Sequence, residues 1–142
     1  MIKAYYEILT GNDKKARYQA AKAWSIWEAS TSKLIQNKKS LHHFEDENIA
    51  DIFARIECHF FINKGFFEYD GWLLDQIDII RHIPCVIVQG RYDVVCPMIT
   101  AWELHKKWPE ANFHIVQDSG HSMLEQGIRD KLIEYTNKYA NL

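Results

Sequence analysis

The chain has 142 residues, 47% of them hydrophobic and 25% charged, with a formal net charge of -2. That length suits one domain with a sizeable core, the balance excludes a disordered chain, and the charge gives no basis for binding nucleic acid or an anionic membrane. No run reaches the roughly 18 apolar residues that span a bilayer, the N-terminus lacks a secretory pattern, and three cysteines without CxxC spacing argue against a disulfide framework or zinc site. A reducing, cytoplasmic compartment is expected, with no cofactor and no metal.

Residues 1 to about 66 read as helices. Asn12 or Asp13 can cap a helix beginning at Lys14, because a side-chain oxygen there meets amides that the first turn leaves unpaired. Ala16, Ala20, Ala23, Trp24 and Trp27 recur on one face of it. The polar stretch NKKSLHHFEDEN breaks the pattern. Its two histidines and three acids in LHHFEDE read as a solvated loop, since adjacent histidines seldom coordinate one ion. Ile49, Phe53, Ile56 and Phe60 then recur at helical spacing, and Gly65 is a stop signal. From about residue 83 the character changes. IPCVIVQG, a short run rich in β-branched residues between a proline and a glycine, describes a buried strand. Pro97 opens a helix running to about Lys107, and Pro109 ends it. Trp102 and Trp108 are expected as core and rim. NFHIV is a second strand, and Ile128, Leu132, Ile133 and Tyr135 mark a terminal helix. Strand, helix, strand, helix implies parallel strands joined by a helical crossover, hence an α/β fold.

Sites in open parallel sheets form beyond the carboxyl ends of the strands. Two polar loops stand there: GRYDVVCP with Asp93, and DSGHS with His121, 28 residues further on. That interval holds one loop, one helix and one strand, so adjacent strands would bring carboxylate and imidazole together. A buried carboxylate can accept the Nδ1 proton of a histidine, fixing its tautomer and stabilising the imidazolium. On spacing alone, a turn aspartate satisfying backbone amides and an exposed histidine fit at least as well.

The wording of the chain is more specific. IPCVIVQGRYDVVCP, AWELHKKWPEA and DSGHSMLEQGI closely resemble the C-terminal part of prolyl aminopeptidases (proline iminopeptidases), serine peptidases of the α/β-hydrolase superfamily. AAKAWSIWEAS and RIECHFFINKGFF resemble the helical cap of the same family. The resemblance implies the last two parallel strands of an α/β-hydrolase with their helices, preceded by part of a cap. Residues 1–82 would be the cap portion and its return to the core, and residues 83–142 the core. It also implies release of N-terminal proline from peptides, with Asp93 as triad acid and His121 as general base. Glu28 in WSIWE and Glu57 in RIECHF match the cap glutamates that bind the substrate's free amine. Carboxylates among aromatics cost desolvation energy, and a protonated proline nitrogen would compensate it. Without the resemblance, each glutamate fits a solvated edge or a pair with Arg55 or Lys22. Cys96, three residues after Asp93, stands where the family often has a near-site thiol, and is read as a small residue packed under the site. The chain departs from the family pattern at Ala29, where glycine is usual, at Cys58, where asparagine is usual, and at Phe60, where tyrosine is usual.

No G-x-S-x-G occurs in the chain, and nothing else supplies a nucleophile elbow or an oxyanion-hole loop. The expectation is therefore a C-terminal portion, inactive alone, whose apolar faces need another copy or a separate N-terminal half. Its substrate would be a peptide with N-terminal proline once completed. The alternative is a non-catalytic remnant, acting as an oligomeric or amine-binding module.

Overall fold

The structure is a computed structural model, and it describes residues 1–36 and 46–140. The histidines of LHHFEDE lie outside the described residues. The described chain forms two compact units, residues 1–30 with 36 and 46–70, and residues 31–35 with 71–140.

The first unit is helical. Helix α1 (Ile2–Thr10) places Ile2, Tyr5, Tyr6 and Leu9 on one face at 3.6-residue spacing. Helix α2 (Lys14–Thr31) starts where Asp13 Oδ1 accepts from the amides of Lys15 and Ala16, at 3.0 and 3.1 Å. Asp46 caps α3 (Glu47–Ile62) in the same way, through Asn48 and Ile49. The shared core is Leu9, Ala21, Trp24, Ala50, Ala54 and Cys58. Asp51 is buried beside them, 3.1 Å from Arg17 Nε and 3.7 Å from Arg55 Nη1. The Arg17 contact is a charge contact without hydrogen-bond alignment.

The packed faces differ from those the periodicity predicts. On α3 the small residues Ala50, Ala54 and Cys58 are buried, while Phe53, Ile56 and Phe60 are exposed. On α2 the buried residues are Ala21, Trp24 and Ser25, and Trp27 is 59% exposed. Small side chains let helix axes approach closely, as the Ser25 Oγ bond to the Ala50 carbonyl at 3.4 Å shows, so packing follows the small stripe. Beyond α3, Gly65 takes a left-handed φ of 64° in a single 3₁₀ turn, Lys64–Phe66.

The second unit begins with residues 31–35 and resumes with two short helices, α4 (Trp72–Asp75) and α5 (Ile77–Ile80). Strand β1 (Val86–Gly90), helix α6 (Met98–Lys107), strand β2 (Asn112–Val116) and helix α7 (Gln126–Tyr139) follow. The strands pair in parallel, Val86 opposite Asn112 through to Gly90 opposite Val116. Adjacent residues of β2 face opposite sides of the sheet. Phe113 stacks on His105 of α6, with centroids 5.1 Å apart, whereas His114 meets Tyr135 of α7 at 2.6 Å. The two helices thus cover opposite faces. Trp108, just past α6, is buried with Ile77 and Ala111, and Trp102 is 45% exposed. Strand β1 is half-buried at Val86 to Val88 rather than fully buried, because β2 is its only neighbour among the described residues. Among the described residues no helix is long and apolar enough to cross a membrane.

Candidate active site

Asp93 and His121 occupy the loops that leave the carboxyl ends of β1 and β2. His121 Nδ1 lies 3.0 Å from Asp93 Oδ2. The Asp93 side chain is 6% exposed and that of His121 is 40% exposed, so a sheltered acceptor meets a ring open to solvent on its other side. Asp93 is held by donors on both oxygens. Oδ1 accepts from the amides of Val95 (3.0 Å) and Cys96 (2.8 Å), and Oδ2 accepts from Gln89 Nε2 (3.3 Å) as well as facing His121. A carboxylate tied by backbone amides cannot swing away from its imidazole. Gln89 is buried and also donates to the carbonyls of Gly90 and Cys96, which fastens the whole turn.

The two loops meet because neither has a side chain at the crossing. A Cβ on Gly90 would lie 1.9 Å from the carbonyl oxygen of Gly120. The Tyr92 amide donates to the Ser119 carbonyl at 3.0 Å and that of Arg91 to the Val116 carbonyl at 2.9 Å, so the ladder continues past the strands. Beyond the ring, Ser32, His121, Ser122, Met123 and Leu124 line a recess of about 420 Å³. Sequence reasoning missed Gln89, Ser32 and Glu125. Ser32 accepts from the amides of His121 (3.0 Å) and Ser122 (2.7 Å), and Glu125 accepts from Gly120 and Leu34. The one visible signal was Gln89, a polar residue inside the apolar run of β1.

Glu28 and Glu57 both belong to the helical unit. Glu28 lines a cavity of about 420 Å³ with Tyr5, Trp24, Trp27 and Phe61. Tyr5 meets Trp24 edge-on at 5.1 Å, and Phe61 lies 6.0 Å from Trp24. Glu57 accepts from Trp24 Nε1 at 2.6 Å, so it grips one wall of that cavity. Arg55 pairs with Asp51 rather than with either glutamate. Cys96 is exposed, not packed beneath the site, because Asp93 engages its main-chain amide and leaves its side chain outside. Burial pushes the thiols of Cys58 and Cys85 up, and the Glu57 charge adds to the effect at Cys58. Among the described residues, no three His, Cys, Asp or Glu gather as a metal site would require.

Known proteins resemble the chain in sequence and in fold. It is 57% identical over 140 residues to a probable proline iminopeptidase of Leptolyngbya boryana, a match covering 99% of this chain and 44% of that one. Identity is 49% to a proline iminopeptidase of Arabidopsis thaliana and 46% to one of Xanthomonas citri, over 100% and 99% of this chain and 37% and 45% of theirs. An esterase from Exiguobacterium antarcticum superposes with a TM-score of 0.57 over 99% of this chain and 47% of its own, at 17% identity. The chain has the fold of a C-terminal portion of an α/β-hydrolase. Its sequence relatives are proline iminopeptidases, and it spans less than half the length of those it matches. No family model matches it.

Proposed function

We propose that this α/β-hydrolase portion carries the acid, the base and the amine-reading cap of a serine proline iminopeptidase. The observation that carries the reading is the 3.0 Å approach of His121 Nδ1 to a buried, donor-saturated Asp93. In that pairing Asp93 holds the Nδ1 proton and leaves Nε2 to take a proton from an attacking hydroxyl and return it to the leaving amine. The serine and the oxyanion donors come from chain outside these 142 residues, as the share of the relatives that is matched supports. Without them a base has no nucleophile to activate, and the chain alone is inactive.

The substrate reading rests on the helical unit. A peptide with N-terminal proline presents a secondary ammonium. The cavity beside Glu28 offers that cation a carboxylate and the faces of Tyr5, Trp24 and Trp27. Glu57 commits Oε2 to the Trp24 indole, so its other oxygen would meet the amine. The helical unit is read as part of the cap, and the unit with β1 and β2 as part of the catalytic core.

The test is complementation. The chain is co-expressed with the remaining, N-terminal part of the Leptolyngbya relative and assayed on proline-naphthylamide. Turnover is expected only from the combination, and His121→Ala should reduce it by about 10⁴-fold or more. Turnover by the pure chain, or a folded combination with no turnover, would sink the reading.

A further inference from the structure

We propose that Glu125 is the positioning residue for His121, its carboxylate clamping the loop of the base onto residues 31–35. This deepens the reading of His121 as a base and rests on it. An imidazole that is 40% exposed has little packing to fix it, so the backbone beneath must be held. Three successive amides of that loop are all taken up. Gly120 donates to Glu125 Oε1 at 2.8 Å, and His121 and Ser122 donate to the Ser32 carbonyl at 3.0 and 2.7 Å. The other oxygen of Glu125 accepts from the Leu34 amide at 3.3 Å, across 91 residues of sequence. One carboxylate therefore joins both sides of the contact.

Two further features fit this role. Glu125 is the N-cap residue of α7, yet its side chain makes no capping bond to that helix. It turns back to Gly120 instead, although a capping bond would ordinarily contribute to helix stability. Gly120 leaves the necessary room, since a Cβ there would lie 2.9 Å from the Leu34 amide nitrogen and 3.1 Å from Glu125 Oε1. Amide bonds to a charged acceptor are about twice as strong as neutral ones, which suits a clamp on a loop.

The test reads the tautomer of His121 by ring nitrogen NMR on the 142-residue chain, above the pKa of the ring, and needs no turnover. Imidazole in water favours the Nε2–H form, whereas Asp93 selects Nδ1–H. The parent should show mainly Nδ1–H, and Asp93→Asn should abolish that preference. Glu125→Gln, which replaces one acceptor oxygen with an amide donor, should lower the ratio of Nδ1–H to Nε2–H several-fold. Glu125→Asp, too short to reach both amides, should do the same, and supplies the readout if Glu125→Gln does not fold. An unchanged ratio in the folded Glu125 variants, with only a lower melting temperature, would overturn the positioning role and leave the acid–base reading intact. An unchanged ratio in Asp93→Asn would instead remove the acid–base pair itself.

Discussion

Gly90 is the point where the site is most sensitive to a single atom. The carbonyl of Gly120 occupies the place a side chain would take, 1.9 Å from an ideal Cβ. Gly90→Ala must therefore push the loops of Asp93 and His121 apart, at a cost on the order of 3 kcal/mol. Urea unfolding of the chain measures it, and an alanine variant as stable as the parent would mean that the loops do not meet there. That Asp93 and His121 meet was legible only in part: their 28-residue interval allowed it, but a turn aspartate and an exposed histidine fitted that spacing as well, and the resemblance singled out the pair. Glu125 and Ser32 were not legible. Their work is done on backbone amides, and no side-chain pattern records a bond between positions 34 and 125. Gln89 was half-legible, as a polar residue in β1 whose partner Asp93 lies four residues on.

The elements show a similar division. Both strands, the crossover helix and the terminal helix lie where β-branched runs, prolines and a glycine mark them, because these signals act within a few residues. The orientation of α3 was not legible from hydrophobic spacing. Among its large apolar residues Ile52, Ile56 and Phe60 are 60, 57 and 49% exposed, while Ala50 and Ala54 are fully buried. A hydrophobicity count favours Ile and Phe, but a close helix crossing selects small side chains. This gives a paired expectation for the helical unit. Ala54→Leu should overpack the contact and cost about 1–3 kcal/mol, whereas Ile56→Lys should stay within about 0.5 kcal/mol of the parent. Thermal unfolding followed by circular dichroism decides it, and the reverse ranking would mean that α3 packs by its large-residue face.

The exposed stripe of α3 also bears on what the 142 residues need from outside. In the second unit Val94, Ile115 and Ile133 are exposed at 69, 36 and 51%. Each strand of the two-stranded sheet has one partner among the described residues, so each keeps a row of backbone groups to offer another strand. Every 100 Å² of apolar surface covered by a partner contributes about 2.5 kcal/mol before the cost of association. A few such patches match the whole stability of an ordinary domain, about 5–15 kcal/mol. The isolated chain is therefore expected to self-associate at micromolar concentration and to bind a dye that reports exposed apolar surface. Adding the N-terminal part of the Leptolyngbya relative should replace self-association by a one-to-one complex, suppress dye binding and raise the melting temperature, since a partner that binds only the folded chain stabilises it. Sedimentation velocity and dye titration on the same samples measure this. A monomer that binds no dye and gains nothing from the added part would show that the exposed faces are stable in water, and the case for a completing partner would fall.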